Sequence, residues 1–385
     1  MKIAVDSWTL ASRFRCQGTY VYTQNLLREF KKIAHRDAGV RFSLFASDRN
    51  GNDAARITPE ENFELWPSTL LDHDRLWRFG GAGLSAYRSR ADVMFIPTAA
   101  TLPAGPVPAV CTIHDVTPIT MPSHSARVSA IQRVLLKGCA RFSRAIITSS
   151  ECSKRDIVKL LGVSEEKVVV IHDGCDQALF NAYPPDKVAL AALRARLGIE
   201  RSYLLHHGTI QPRKNLKRLI EAFHLMLADP ANLDFDLVLA GQLGWASDEI
   251  VNAATKAGGG RGKVILTGVL GDPDLALLIK GASLAVVPSL YEGFSLPLVE
   301  AMACGVPTVA SSTSCLPEIS GNALVYFDPL SIEDMASCMH SVLRDSELSR
   351  RLRRKGIDRA REFTWERCAR ETLDVLIKAG QAGRH

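Results

Sequence analysis

The chain has 385 residues, of which 46% are hydrophobic and 23% are charged, and its formal charge is +6. This composition is that of a soluble globular protein and excludes disordered and collagen-like classes. The length is sufficient for two domains of about 150–200 residues, each with its own core. No run approaches about 18 consecutive apolar residues, so we expect a cytoplasmic protein with no signal peptide and no transmembrane helix.

The positive charge is concentrated in one segment. No acidic residue lies between Asp115 and Glu151, whereas the segment contains Arg127, Arg133, Lys137, Arg141 and Arg144. Apolar residues at helical spacing predict an amphipathic helix with a basic face. Such a face would suit an anionic membrane surface or the pyrophosphate of a lipid-linked acceptor, and a solvated basic helix is the alternative. Because no nucleic-acid-binding module accompanies the charge, we do not expect a nucleic-acid partner.

The nine cysteines are odd in number and form no Cys-x-x-Cys pair. This pattern predicts reduced, mostly packed thiols. Neither a disulfide framework nor a zinc site is expected.

Short β-rich runs alternate with helical or loop stretches along the whole chain. They lie at residues 2–5, 42–45, 93–96, 109–113, 145–148 and 168–171, and again at 203–206, 237–240, 264–267, 284–287, 308–310 and 323–327. The alternation predicts two doubly wound α/β domains. A Tyr-Pro-Pro-Asp break in the middle of the chain places their join. We therefore expect a first domain at 1–180, a linker at 181–200, a second domain at 201–362 and a final helix within 363–385.

Residues 284–311 form the segment on which the functional argument depends. Two valine-rich runs predict strands buried on both faces, and Pro297 and Gly305 bracket a helix of about two turns between them. The loop before the helix carries Glu292 and Ser295, which a simple connection does not require.

The start of this helix would suit an anion. Gly293 permits close approach of the backbone to a ligand. The helix that begins near Leu296 offers unpaired N–H groups and the positive end of its dipole to an anion. Glu292 and Glu300 would both reach a ligand there and accept hydrogen bonds from its hydroxyls. Phosphate and hydroxyls together indicate a nucleotide sugar. The alternative interpretation is that both glutamates are solvated surface acids.

The sequence of this segment, YEGFSLPLVEAMACGVPTVAS, resembles the signature of family-four retaining glycosyltransferases with the GT-B fold. In that family two glutamates separated by seven residues bracket the donor site, and Glu292 and Glu300 match this spacing. The resemblance covers most of the chain. It implies two Rossmann-like domains that face a cleft, with the last helix, from Trp365, crossing back to the first domain.

Two further stretches of the second domain resemble the family. LHHGTIQPRKN, at 205–215, resembles its diphosphate clamp, with Gly208 and Thr209 at the donor and Arg213 and Lys214 as the cations. Arginine grips a diphosphate with a fork of donors, and lysine adds a point charge. VILTGVL, at 264–270, matches the strand and loop that hold the base through backbone groups, which implies a donor contact at its end, made by Val269 and Leu270.

The first domain contributes two candidates. Gly18 matches the family's glycine loop, which faces the donor phosphates and the acceptor, and a plain helix entry is its alternative reading. His114 stands at the end of an apolar strand, where ligands bind in open α/β sheets. It matches the His-Asp element of related mannosyl- and glucosyltransferases, which implies a contact with the donor sugar. Where the family has Asn-Gly-Val-Asp, this chain has Asp-Gly-Cys-Asp, beginning at Asp173.

Three other motifs compete with this interpretation. Residues 81–86 have dinucleotide-like glycine spacing, but no apolar strand precedes them. Residues 258–263 resemble a P-loop without its Ser or Thr. The Asp-x-Asp runs at 234–236 and 272–274, a form that binds Mn²⁺ in the other large glycosyltransferase fold, are interpreted as local structure, the first before a strand and the second as a helix N-cap followed by proline.

The resemblance implies a retaining glycosyltransferase of O-antigen or related cell-surface polysaccharide synthesis, at the inner face of the membrane. GDP-mannose is the first expected donor, and the acceptor is a glycan or a polyprenyl-diphosphate-linked saccharide. The expected catalytic residues are His114, Arg213, Lys214 and Glu292, with Glu292 on the sugar. The donor would also contact Glu300, through its ribose, and the backbone at Gly293, Phe294, Ser295 and Leu296.

No cofactor and no metal are expected, because Arg213, Lys214 and the helix N-terminus would stabilise the leaving diphosphate. A UDP-hexose-dependent glucosyltransferase is the alternative within the class. A sugar-nucleotide epimerase and a regulator that only binds the nucleotide sugar are the alternatives from other functional classes.

Overall fold

The computed structural model describes residues 1–10, 18–36, 39–46, 62–68, 70, 73–121, 126–228, 234–256 and 262–382. The chain divides into two compact units. The N-terminal unit consists of Met1–Gly174 together with Trp365–His385, and the C-terminal unit is Cys175–Thr364. The division after Gly174 falls earlier than the sequence-based boundary at residue 180.

The N-terminal unit is built on a seven-stranded parallel sheet with the order β3-β2-β1-β4-β5-β6-β7. Its strands are β1 (Lys2–Asp6), β2 (Arg41–Ala46), β3 (Phe63–Pro67), β4 (Val93–Ile96), β5 (Ala109–Thr112), β6 (Ala145–Thr148) and β7 (Val168–Val170). The helices that follow them in the chain are α1 (Gly18–Arg36), α2 (Asp74–Leu76), α3 (Ala82–Arg88), α4 (Thr117–Thr120), α5 (Ala126–Phe142) and α6 (Glu151–Leu161).

Every run that we predicted as a strand in this half forms one, but β3 was not predicted. It is an edge strand that pairs only with β2, and its sequence, FELWP, contains a glutamate and ends in proline. Edge strands can be short and half exposed, so they lack the continuous apolar run that marks a central parallel strand. The lack of an apolar run in β3 therefore follows from its position at the edge of the sheet.

The C-terminal unit has a six-stranded parallel sheet with the order β10-β9-β8-β11-β12-β13. Its strands are β8 (Ser202–His207), β9 (Phe235–Ala240), β10 (Val264–Gly268), β11 (Leu284–Val287), β12 (Thr308–Ser311) and β13 (Val325–Phe327). Its helices are α7 (Lys187–Leu197), α8 (Leu216–Leu227), α9 (Asp248–Lys256), α10 (Asp272–Lys280), α11 (Leu296–Ala303), α12 (Leu316–Ser320), α13 (Ile332–Arg344) and α14 (Ser346–Ala360). The prediction of two Rossmann-like α/β domains is confirmed.

The order of the second sheet reverses at one place. The chain runs outward from β8 through β9 to β10 and then returns to place β11 on the other side of β8. The core beneath these strands is formed by buried side chains of β8, α8, β9, β11 and α13, among them Leu204, Phe223, Leu239, Val286 and Met339. Ligands of open α/β sheets bind at such a reversal, outside the carboxyl ends of the strands.

The last helix, α15 (Trp365–Gln381), belongs to the N-terminal unit. It packs on α1 and on β4, β5 and β6, and its buried side chains include Trp365, Cys368, Leu373 and Leu376. Burial of this apolar face supplies the hydrophobic stabilisation that a surface helix needs.

The competing motifs have local structural roles. Residues 77–88 are helical apart from a kink at Gly80, so the glycine spacing at 81–86 follows no strand. Asp236 lies within β9 and not before it, buried against the Arg201 guanidinium. The predicted N-cap role of Asp272 is wrong, because Gly271 has the extended backbone of the N-cap and Asp272 is already helical. Residues 258–261 lie outside the described residues.

Within the described parts of the chain, eight cysteines are free thiols, and no group of three or more His, Cys, Asp or Glu side chains could hold a metal ion. Cys16 lies outside those parts. Among the same described residues, no helix has the length and apolarity required to cross a membrane.

Candidate functional site

Two loops of the C-terminal unit meet where its strand order reverses. One follows β8 and passes through a 3₁₀ turn, Pro212–Lys214, before α8 begins. The other follows β11 and leads into α11. The N–H of Leu290 in the second loop donates to the carbonyl of Arg213 in the first at 2.9 Å, so the backbone itself joins them. This contact brings the predicted Arg-Lys pair to the predicted Glu292.

Three charged side chains form a buried cluster at this junction. Lys214 Nζ lies 2.5 Å from Glu292 Oε1, and Arg213 Nη1 lies 2.7 Å from Glu292 Oε2. Arg213 Nη1 also donates to the Tyr291 carbonyl at 2.5 Å. Lys214 is 6% exposed and Glu292 is 4% exposed. Two cations and one carboxylate give these three side chains a net charge of +1, which favours an anionic ligand at this site.

The environment fixes the ionisation of this cluster. Burial alone would raise the pKa of Glu292, but the charges of Arg213 and Lys214 and the hydrogen bonds that it accepts hold that pKa well below its usual range. Burial lowers the pKa of Lys214, and the attraction of Glu292 opposes this shift. Glu292 is therefore a carboxylate throughout the physiological pH range.

Two serines support Glu292. Ser289 Oγ donates to Glu292 Oε1 at 2.6 Å, and Ser314 Oγ accepts from the Glu292 N–H at 3.0 Å and donates to its carbonyl at 2.5 Å. Oε1 thus accepts two protein donors and Oε2 accepts one. Since a carboxylate oxygen can accept two hydrogen bonds, Oε2 can accept one more, from a ligand hydroxyl.

The α11 N-terminus has the form that the sequence predicts. The helix begins at Leu296, Pro297 lies in its first turn, and its eight residues make about two turns. Ser295 precedes it with a left-handed backbone (φ 80°), and its buried Oγ has no hydrogen-bond partner among the described residues. Phe294 packs its ring against Phe363, with the centroids 5.5 Å apart, so its side chain belongs to the core and a ligand contact would use its backbone.

Glu300 lies one turn into α11 and contacts a residue that the sequence analysis did not select. Its Oε2 is 2.9 Å from Nε2 of His207, the last residue of β8. The neighbouring His206 is buried, and its Nδ1–H donates to the Val286 carbonyl at 3.0 Å. Burial and the nearby Lys214 charge lower the pKa of His206 to about 3, so this ring is neutral.

The backbone at the end of β8 approaches its neighbours closely. Gly208 has a φ of 130°, and a Cβ on Gly241 would lie 2.0 Å from the Gly208 carbonyl oxygen. Both positions therefore require glycine. Thr209 continues this loop. Val269 and Leu270 follow β10, two strands away from β8, and the side chain of Val269 is exposed.

The two candidates of the N-terminal unit are His114, after β5, and Gly18, at the start of α1. His114 follows β5, and its Nε2 is 3.1 Å from the Pro97 carbonyl after β4. Because a carbonyl only accepts, Nε2 carries the proton and Nδ1 is an acceptor. Burial lowers the pKa of His114, so the ring is neutral at physiological pH. The Tyr22 ring packs on it edge to face at 4.6 Å. Gly18 is the first residue of α1, and no atom of the described residues lies within 4 Å of the position that a Cβ would occupy.

Comparisons with known proteins agree with this architecture. Family models described as "Glycosyltransferase Family 4" and "Glycosyl transferases group 1" match residues 17–179 and 192–359. O-antigen chain mannosyltransferase B of Escherichia coli is 30% identical over 269 residues, 69% of either chain. MMP alpha-(1->4)-mannosyltransferase of Mycolicibacterium hassiacum is 30% identical over 98% of both chains. The serotype-specific mannosyltransferase WbdA of Escherichia coli is 28% identical over 74% of this chain, which spans only 35% of WbdA.

Solved structures show the same fold at low sequence identity. Sucrose-phosphate synthase from Thermosynechococcus elongatus superposes with a TM-score of 0.74 at 19% identity over 99% of this chain and 100% of its own. Anabaena HepE in complex with UDP and glucose gives the same TM-score and identity over 98% and 100%.

The fold is GT-B, an architecture of two Rossmann-like units found in one large group of glycosyltransferases. This chain belongs to the family-four glycosyltransferases, and it is a hexosyltransferase.

Proposed function

We propose that this enzyme transfers a hexose, with mannose from GDP-mannose as the first candidate, to a glycan or lipid-linked saccharide in the synthesis of a cell-surface polysaccharide. The observation that carries the proposal is the buried cluster of Arg213, Lys214 and Glu292, whose surplus positive charge lies beside the start of α11. A diphosphate supplies the charge that this site lacks. The similarity to O-antigen chain mannosyltransferase B and to the serotype-specific mannosyltransferase WbdA supports mannose as the sugar and a polysaccharide as the product.

In this proposal the bond between the anomeric carbon and the phosphate oxygen breaks, and the acceptor hydroxyl oxygen forms the new bond on the same face of the sugar. The proton of that hydroxyl passes to the leaving phosphate oxygen. Arg213 and Lys214 stabilise the negative charge that develops on the diphosphate, so no metal is needed. Retention of configuration is part of the proposal.

The roles of the remaining residues follow their positions. Glu292 holds both cations in place and offers Oε2 to a sugar hydroxyl, while Glu300 binds the ribose. The backbone at 293–296 binds phosphate and sugar. His114 contacts the sugar as a neutral ring that accepts through Nδ1. Gly18 and Gly208 leave room for the phosphates, and the backbone of Val269 and Leu270 holds the base.

We also propose a peripheral contact with an anionic membrane through α5. Arg133, Lys137 and Arg141 are exposed on this helix, and so are Val134 (55%) and Phe142 (61%). Exposed apolar side chains among cations suit the boundary between headgroups and acyl chains. We expect co-sedimentation with phosphatidylglycerol vesicles and weaker binding, by about tenfold or more, in Lys137→Glu/Arg141→Glu.

A matched double reversal at two exposed cations of the C-terminal unit, Lys187→Glu/Arg354→Glu, is the control for net charge. Equal loss of binding in both double variants would refute a contact specific to α5.

The transferase proposal is tested by nucleotide release from GDP-, UDP-, dTDP- and ADP-sugars, with and without a mixed glycan acceptor pool. We expect release from GDP-mannose that the acceptor pool increases and that Glu300→Ala abolishes, and proton NMR of the product should show the donor's anomeric configuration. Nucleotide release from a UDP-hexose and from no other sugar nucleotide would show that the UDP-hexose, and not GDP-mannose, is the donor. Turnover without any acceptor dependence would favour the epimerase. Nucleotide binding without turnover would favour a regulator.

A further inference from the structure

We propose that His207 is a positioning residue that fixes the Glu300 carboxylate in the orientation that binds the ribose hydroxyls of the donor nucleotide. The inference rests on the proposed function, which assigns Glu300 to the ribose. It concerns a side chain to which neither the sequence motifs nor the relatives assign a role.

The contact is a buried hydrogen bond between two neighbouring elements. His207 Nε2 lies 2.9 Å from Glu300 Oε2, and the side chains are 5% and 14% exposed. Because a carboxylate accepts, Nε2 carries the proton. Oε1 of Glu300 has no hydrogen-bond partner among the described residues, so one carboxylate oxygen is held by the protein and the other is left for a ligand.

No other strong donor holds this carboxylate within the described residues. The thiols of Cys175 and Cys304 are close enough for Glu300 to act on them. Burial, with a smaller contribution from Glu300, raises the pKa of Cys175 well above its usual range. Burial likewise raises the pKa of Cys304 to about 12. Both are therefore neutral thiols, which are weak donors. Among the residues that the structure describes, only His207 donates to the Glu300 carboxylate.

A glutamate needs such support more than most side chains. It has three rotatable bonds, and fixing them costs entropy that would otherwise be paid when the ligand binds. His207 is itself held firmly, since it pairs with Ala240 in the sheet and the next N–H, of Gly208, donates to the Ala240 carbonyl at 2.9 Å. The sheet therefore fixes the backbone of His207, and its buried imidazole orients the carboxylate through the hydrogen bond to Oε2.

The test uses nucleotides that differ only in the ribose hydroxyls. Binding of GDP, UDP and their 2′,3′-dideoxy forms is measured by calorimetry on the full chain. His207→Phe keeps a flat ring and removes the donor, and we expect it to bind the preferred ribonucleotide about five- to tenfold more weakly. Its affinity for the dideoxy form should stay within about twofold of the wild type, because that ligand offers Glu300 no hydroxyl.

Three further variants distinguish positioning from a general structural role. His207→Gln places an amide N–H near the position of Nε2 and should restore affinity, whereas the shorter His207→Asn should not. If thermal denaturation shows that His207→Phe does not fold, the comparison of His207→Gln with His207→Asn still tests the inference. In a Glu300→Ala background, His207→Phe should cause no additional loss, because its effect passes through Glu300.

Wild-type affinity in His207→Phe would overturn the inference. Equal losses for the ribose and dideoxy forms, or a further loss in the Glu300→Ala background, would do the same while leaving the donor site intact. Failure of the wild type to bind either nucleotide would instead refute the proposed function and this inference with it.

Discussion

The carboxyl edges of the two sheets are built from different kinds of side chain. In the C-terminal unit the strand exits bring together full charges, with Lys214 and Arg213 paired to Glu292 in a buried cluster. In the N-terminal unit the neutral His114 ring, which follows β5, contacts Tyr22 of α1, and Tyr22 Oη lies 3.1 Å from Thr112 Oγ1. One fold therefore supports an edge suited to an anion and another suited to neutral hydroxyl groups.

The largest expected effect tests the charged edge. Lys214→Ala removes the surplus positive charge of the cluster, and we expect turnover of the donor sugar to fall by about 10²–10³-fold, as when one donor to a developing anion is lost. Steady-state nucleotide release measures it. Lys217→Ala is the control, because Lys217 is an exposed lysine of α8 that pairs only loosely with Glu249 at 3.3 Å. Wild-type turnover in Lys214→Ala would show that the cluster does not act on the diphosphate.

Glu292→Gln tests whether the same edge depends on its counter-ion for stability. The variant leaves two cations without their carboxylate, and we expect the free energy of unfolding to fall by about 3–5 kcal/mol. Urea denaturation at neutral pH measures this change. Because the folded pKa of Glu292 is depressed, its stabilisation is complete above its ordinary pKa of about 4.3 and is lost as the pH falls below that value. The difference between wild type and variant should therefore shrink on acidification.

The control for this measurement is Glu249→Gln, which removes an exposed acid of the same unit and should cost about 0.5 kcal/mol or less. A similar loss in both variants would mean that the cluster is no more coupled than a surface ion pair.

Asp173→Asn tests the neutral edge and should show the opposite pH dependence. Burial raises the pKa of Asp173 to about 7, against about 3.9 in an unfolded chain. Between these pH values the folded state binds a proton that the unfolded state does not, so the Asp173 contribution to the free energy of unfolding falls as the pH rises from about 4 to about 7. The variant does not titrate there, and above pH 7 it should be about 2–4 kcal/mol more stable than the wild type.

Urea unfolding at pH 4.5 and pH 8 gives this comparison. Asp374→Asn, at an exposed position on α15 in the same unit, should stay within about 0.5 kcal/mol of the wild type at both pH values. If the difference between wild type and Asp173→Asn were the same at both pH values, Asp173 would be charged in the folded state and the neutral description of this edge would be wrong.

Much of the fold could be predicted from the sequence because central parallel strands are buried on both faces. Their apolar runs, such as 93–96 and 284–287, are visible without any partner, and both became strands. The edge strand β3 gave no such run. The start of α11 was predicted because Pro297 marks a first helical turn by its own backbone. The start of α10 was missed by one residue at Asp272, because the N-cap, Gly271, makes no side-chain hydrogen bond and so leaves no sequence signal.

The candidate site could be predicted in its membership but not in its contacts. Strand exits at one edge were enough to group Arg213, Lys214 and Glu292. That Glu292 binds both cations depends on the approach of two loops separated by 78 residues, which the sequence does not show. Ser314 and His207 were missed for the same reason. Their partners lie 22 and 93 residues away along the chain, and neither stands in a distinctive motif.

The discontinuous N-terminal unit has a consequence for biosynthesis. Its sheet lies in the first 174 residues, but the helix that covers β4, β5 and β6 begins only at Trp365. During translation the C-terminal unit therefore leaves the ribosome complete before the N-terminal unit can be closed. A nascent chain that stalls after Thr364 would expose the apolar surface that Trp365, Leu373 and Leu376 normally bury, and such surface favours aggregation and chaperone capture.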